Sequence, residues 1–346
     1  MKKKLIWTGW FVFFTAASLF GGITACRGTP AEPPEPAAVL AEVTVQEIAL
    51  SGPASESRAE ISGMAWCGEE VILLPQYPGV FSDGEAGSVF AIPGDILAEY
   101  LSQEDPAPIV PEARPFFQEG IPGAVAGFEG FEALAVFEDR FYVTVEASPS
   151  GEMQGYLLSG QVLGDCETFL LDAEAPLPIA PQADLRNMSD ESLVLYQERI
   201  YSLYEANGQP VNASPVAHVF TLDLMPLNPI PLEPLPYRIT DATAPDAEGL
   251  FWVINYFYPG DTHLATAADP VAAAFGLGEN HLLADQVEHL VALQIQEDGL
   301  VWAGVPPIYL SLDGDTARNW EGLVAFQGGF LLVTDTFPET ILAFVE

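Results

Sequence analysis

Residues 319 to 336 read NWEGLVAFQGGFLLVTDT: a carboxylate, a small residue, an apolar strand, a tight turn and a second strand. The same order recurs in ISGMAWCGEEVILLPQ from Ile61, FEALAVFEDRFYVTVE from Phe131, DESLVLYQERIYSLYE from Asp190 and TDATAPDAEGLFWVINY from Thr240. Counted from the first polar residue to the third residue of the second strand, the distance is eleven for Ser62 to Leu73, Glu132 to Val143 and Glu191 to Ser202. It is twelve for Asp241 to Val253 and Glu321 to Val333, with the added residue expected in turns rich in Gly, as an inserted bulge would be. Glu248 mimics the glutamate of WEGL but falls in the hairpin turn, and Asp241 holds the equivalent place.

The repeat positions are therefore Ser62, Glu132, Glu191, Asp241 and Glu321, spaced by 70, 59, 50 and 80 residues. Each interval can hold four strands. In the second unit these are read as Phe131 to Val136, Phe141 to Glu146, Met153 to Leu163 and Cys166 to Leu171. Helical periodicity is confined to Asp95 to Ser102 and a weaker stretch from Pro270 to Gln286, so the class is all-β. Four-stranded units at such periods are blades of a propeller. The last unit runs out of chain after Ile341 to Val345, while an unclaimed strand, Glu42 to Leu50, precedes the first. That strand is expected to complete the last blade and close a ring of five, removing its exposed edges. Six blades is the alternative, with the extra one drawn from the long fourth interval.

Three lysines at positions 2 to 4, an apolar run from Leu5 to Phe20 and Ile23-Thr24-Ala25 before Cys26 read as a lipoprotein leader over 1–25, with Cys26 the lipidated residue. An uncleaved membrane anchor is the other reading. Residues 26–41 are a tether rich in Pro, Ala and Glu, and 42–346 the propeller domain. The expected place is the extracytoplasmic face of the envelope, with membrane contact through the lipid alone and a monomeric domain. Without the leader, eight arginines face 49 acids, a formal charge of −41. Such a chain lacks the basic footprint that nucleic acid requires. Cys67 and Cys166, in an exported domain, are expected to form one disulfide.

In a propeller the first strand of each blade lines the central channel, which places the five repeat residues in a ring at one mouth. Several carboxylates converging there cannot all stay ionised without a positive charge among them. A hard cation bound by oxygens, calcium first, would satisfy Ser62, Glu132, Glu191, Asp241 and Glu321. The alternative is that each side chain caps backbone amides of the next blade. Arg58, Arg186, Arg238 and Arg318 lie three to five residues before four of these positions, two of them as Arg186-Asn187 and Arg318-Asn319. They are expected on the mouth with Tyr204, Tyr256 and Asp335 from the second strands, either binding an anion or bridging blades. Gln76, Tyr77, Glu146, Glu205 and Asn255 return to the same mouth. His263, His281 and His289 show no ligand spacing, and there is no GxSxG elbow.

The series Ser, Glu, Glu, small polar residue, Glu, with DESL at 190–193 and WEGL at 320–323, resembles the five-bladed calcium-dependent nucleotidases, the apyrases. The SGM and EGL phrases at 62–64 and 321–323 are similar to the openings of the wider phytase-like and esterase-like propellers. The resemblance implies a propeller with central calcium and, more weakly, nucleotide hydrolysis, since Asp241 stands where those enzymes carry serine. Two functions follow as expectations: a binding or scaffold lipoprotein for an anionic small molecule or protein partner, or a calcium-dependent hydrolase of phosphate or ester bonds.

Overall fold

The computed structural model describes residues 38–346 apart from 83–85, 210, 315 and 336–338. The leader, Cys26 and the tether as far as residue 37 lie outside the described residues. Each of the five repeated stretches is an antiparallel hairpin. Their first strands are Ile61–Cys67, Phe128–Phe137, Asp190–Tyr196, Arg238–Ala242 and Trp320–Phe326. In every one the pairing register slips at the repeat position: between Ile61 and Gly63, Phe131 and Ala133, Asp190 and Ser192, Ile239 and Ala242, and Trp320 and Gly322. The shared polar residue thus sits at a β-bulge, which re-aims its side chain out of the strand's alternation.

The last hairpin lacks the residue expected to be added to its turn. Phe326 pairs with Gly329 across Gln327-Gly328, as Cys67 pairs with Glu70 across Gly68-Glu69. Gln327 and Gly328 take the positive φ that such turns need, 47° and 85°. Gly329 instead opens the second strand, where an added Cβ would collide with the carbonyl oxygen of Val345 on the neighbouring strand. Leu332, not Val333, faces Leu323.

The hairpins extend outward into propeller-like sheets. Ile61–Cys67 continues through Glu70–Pro75, Gly87–Pro93 and Glu112–Phe117, and the second hairpin through Gln154–Leu163 and Thr168–Leu171. Their outer edges join in parallel, Phe116 beside Phe169. The third sheet runs through Val216–Thr221 to Ile230–Pro231, and the fourth through Leu250–Phe257, Val287–Gln296 and Ile308–Leu310. In the last sheet Leu342, Ala343 and Phe344 pair with Ile48, Glu47 and Gln46.

Apolar side chains on alternate positions of these strands meet between successive sheets. Phe116, Phe131, Phe141 and Phe169 pack between the first and second, and Tyr142, Leu193 and Ile200 between the second and third. Leu203, Phe251 and Leu293 fill the next layer, and Ile254, Leu323 and Leu332 the one after. Met64, Val71, Val324 and Leu331 join the last sheet to the first. Each large apolar side chain so buried contributes about 2 kcal/mol, less the cost of ordering it.

A helix spans Gly94–Ser102, as its periodicity suggests. The stretch from Pro270 to Gln286 is helical only over Pro270–Phe275, where the Asp269 carboxylate caps it by accepting from the amides of Val271 and Ala272. Gly276 ends it, and Leu277–Gly278 pair in parallel with Val39–Leu40, at the end of the stretch read as tether. Cys67 and Cys166 form a disulfide across 99 residues, tying the first sheet to the turn before Thr168–Leu171. Among the described residues no helix is long and apolar enough to cross a membrane.

Candidate functional site

Bulging does not send the five repeat side chains to one place. The Ser62 hydroxyl donates to the carbonyl of Phe131 at 2.6 Å, and Thr240, beside Asp241, makes the same contact to the carbonyl of Trp320. Asp241 is wholly committed to backbone: it accepts from the amides of Ala242, Leu323 and Met64. These residues tie one sheet to the next. The other three, Glu132, Glu191 and Glu321, turn into a cavity of about 390 Å³ at the mouth. Of the two alternatives open in the sequence, capping of backbone amides holds for Asp241 and convergence for the three glutamates, while Ser62 does neither and donates to a carbonyl. The five residues therefore do not fit a single calcium ligand set. Among the described residues no group of three or more His, Cys, Asp or Glu side chains is placed to hold a metal ion.

The second strands and the residues that directly follow them supply Gln76, Glu146, Tyr256 and Asp335, the strand Arg238–Ala242 supplies Arg238, and Asn187, Asn319 and Tyr258 come from the connections. Glu132, Glu146 and Glu191 are only 6%, 4% and 8% exposed. Gln76 Nε2 donates to Glu132 Oε1 at 3.1 Å, and the Asn319 amide donates to Glu321. Behind this wall lies fully buried Glu205, whose charge acts on Glu191. Arg238 is clamped from two sides, Nη1 standing 2.7 Å from Glu205 Oε1 and Nε 2.9 Å from Asp261 Oδ2.

Burial and mutual repulsion set the charges. Burial lifts the Glu132 carboxyl well above the usual range, and the neighbouring Glu146 charge lifts it further. Glu191 is lifted likewise by burial, then by Glu205 and Glu321, and Glu321 by burial and Asp335. Burial also raises Glu205, but Arg238 opposes it and favours the carboxylate. Glu146, raised by burial and by Glu205, reaches about 7. Glu191, raised well above the usual range, and Glu146, raised to about 7, thus line one cavity.

The arginines expected to crown the mouth mostly go elsewhere. Arg318 is buried against Glu288, with Nη2 2.7 Å from Oε2, and Trp320 Nε1 donates to the same oxygen at 2.8 Å. Arg58 pairs with exposed Glu56 and lies over the Phe81 ring, and Arg186 is exposed outside the cavity wall. Only Arg238 among the four lines the cavity. Tyr204 is buried with its hydroxyl on the Ala183 carbonyl. Asn255 donates to the carbonyls of Pro236 and Arg238 and accepts from His289, so it is part of the scaffold. His281 donates from Nδ1 to Glu42 and accepts from the Glu288 amide at Nε2. Asp261 and Tyr258 escaped the sequence reading, because nothing in YPGD marks a loop that folds back on an arginine 23 residues earlier.

No protein-family model matches the chain, and no curated protein does. Solved structures similar to it include a glycosyl hydrolase from Bacteroides ovatus, 9% identical with a TM-score of 0.47, covering 84% of this chain and 85% of that one. An exo-1,5-alpha-L-arabinanase from a bovine ruminal metagenomic library is 10% identical with a TM-score of 0.43, covering 85% and 95%. A xylan beta-1,4-xylosidase from Bacillus halodurans is 10% identical with a TM-score of 0.45, covering 86% of this chain and 54% of that one. These are glycoside-cleaving enzymes, not scaffold proteins, nucleotidases or phytases. The expected scaffold lipoprotein for an anionic ligand and its calcium-dependent phosphate or ester hydrolase alternative are both corrected at the cavity, where the five repeat residues do not converge on one cation. Nor does the cavity suit an anion: one doubly paired arginine among five lining carboxyls offers it no counter-charge.

Proposed function

We propose that the chain is a five-bladed propeller, closed by Gln46–Ile48 in its last blade, whose mouth cavity hydrolyses a glycosidic bond. The observation that carries the function is a cavity lined by Glu132, Glu146, Glu191 and Glu321, in which burial lifts Glu191 well above the usual carboxylate range and Glu146 to about 7. Two carboxyls whose surroundings push their proton affinities apart are the working parts of glycoside hydrolysis. Glu191, kept protonated beside Glu205, gives its proton to the glycosidic oxygen as the C–O bond breaks and the electron pair leaves on that oxygen. Positive charge develops on the sugar carbon and is favoured by the surplus of carboxyls around it. Water adds to that carbon, its proton passes to Glu146, and solvent returns a proton to Glu191. Arg238, 2.7 Å from Glu205, acts as a positioning group that favours the Glu205 carboxylate, whose charge raises Glu191, and Asp261 fixes Arg238 from its other side. Amide side chains of Gln76, Asn187 and Asn319 suit sugar hydroxyls.

The test is release of nitrophenol from a panel of 4-nitrophenyl glycosides, pentosides and hexosides of both anomers, between pH 5 and 9. Activity should rise with pH through about 7 as Glu146 ionises. Glu146→Gln and Glu191→Gln should each lower kcat by roughly a hundredfold or more. A well-folded wild-type protein that cleaves none of the panel, or a Glu191→Gln variant as active as wild type, overturns the reading.

A further inference from the structure

We infer that the glycoside taken by the mouth cavity carries a positive charge, as an amino sugar with a free ammonium group does; this rests on the glycosidase reading of the same cavity. Five carboxyls line the cavity, those of Glu132, Glu146, Glu191, Glu321 and Asp335. The cation in the wall is Arg238, and its charge is already shared between Glu205 at 2.7 Å and Asp261 at 2.9 Å. The hydrogen-bond partners of Glu132 and Glu321 are Gln76 and Asn319, both neutral. Carboxyls taken out of water without counter-charge are costly, and a cation arriving among them recovers that cost.

A second, independent feature points the same way. Tyr258 stands 47% exposed at the rim, and Tyr256 lines the wall below it. A ring face beside carboxyls is a common way of holding an organic ammonium. The cavity, at about 390 Å³, is far larger than a bare ion needs, and its three amide side chains address hydroxyl groups. A polyhydroxylated ammonium uses both kinds of wall, and N-acetylation would leave the carboxyls unanswered. An ammonium held by Glu132 and Glu321 also favours their ionised form, so binding near neutrality releases protons.

The experiment is isothermal titration calorimetry of the purified full chain with D-glucosamine, N-acetyl-D-glucosamine and D-glucose. Two buffers of different ionisation enthalpy are used at pH 6.5, and the 4-nitrophenyl glycosides of the three sugars are assayed in parallel. Glucosamine should bind at least about tenfold tighter than either neutral sugar, the scale of one desolvated charge pair. Its measured enthalpy should differ between the buffers by the proton release, and its glycoside should show the same preference in kcat/KM. The Glu132→Gln, Glu321→Gln double variant should bring the three sugars to near parity while keeping its Tm. Equal binding of all three with cleavage of the neutral glycosides overturns the charge inference and leaves the glycosidase reading standing. Binding of glucosamine with no glycoside cleaved overturns that reading and, with it, an amino-sugar substrate. Calcium chloride alone raising the Tm and displacing glucosamine at micromolar concentration would show a metal site, and the inference fails.

Discussion

At Gly130 the backbone takes a φ of 156°, and a Cβ added there would collide with the Gln76 side chain that crosses this point to reach Glu132. Gly130→Ala should therefore destabilise the fold by about 1 to 2 kcal/mol and push Gln76 off Glu132, whose proton affinity then rises further because that hydrogen bond favours the ionised form. Adding Gln76→Ala removes the obstacle, so most of the lost stability should return in the double variant. Urea melts of the four proteins decide it, and strictly additive losses would mean the two side chains never meet. The sequence marked Ser62, Glu132, Glu191, Asp241 and Glu321 as equivalent because a polar residue before an apolar strand is visible in the chain, and each does sit at a bulge. It did not separate the three that enter the cavity from the two that do not. Asp241 finds the amides of Leu323 and Met64 within reach only because sheets distant in sequence approach there. Arg318 was misplaced for the same reason, since its partner Glu288 lies on a strand of a different hairpin.

Residues 39–48 form a strap that no local pattern could place fully. Its last part, pairing with Leu342 to Phe344, was legible as a leftover strand looking for a missing edge. Its first parts, Val39–Leu40 on Leu277–Gly278 and Glu42–Val43 on Tyr309–Leu310, were not, because two-residue parallel pairings leave no periodicity to read. Glu42 fastens the strap: it accepts from the amides of Asn280 and His281, from Asn280 Nδ2 and from His281 Nδ1 at 2.7 Å. Burial works to raise its carboxyl, yet the hydrogen bonds from His281 and Asn280 hold it below the usual range. Glu42→Ala strands these donors and should cost about 2 to 3 kcal/mol. Hydrogen exchange should speed up over 38–48 and 276–283 together while the first three sheets keep their protection. Loss of protection confined to 38–41 would mean that the clasp carries no load beyond its own residues.

For the molecule as a whole, the mouth and the strap have opposite pH dependences. Glu42, depressed in the fold, contributes stability that is present above its unfolded pKa and lost as pH falls through the lower folded value. Glu146 is raised from 4.5 to about 7, so its contribution is full below 4.5 and is lost as pH climbs through 7, a swing of about 3 kcal/mol. Glu132, Glu191 and Glu321 share its sign, each buried and each raised. The formal charge of −38 over the whole sequence adds self-repulsion that also grows as carboxyls ionise. The Tm should therefore peak in mild acid, near pH 5, and fall toward pH 8. Salt separates the two causes of that fall. Surface repulsion is screened over about 3 Å in 1 M salt, whereas carboxyls enclosed at the mouth are shielded far less. Raising the salt should recover part of the Tm at pH 8, and Glu146→Gln should recover a further part that salt does not reach. A Tm that salt alone makes independent of pH between 5 and 8 would assign the whole effect to the surface and leave the mouth carboxyls without the strain on which their chemistry depends.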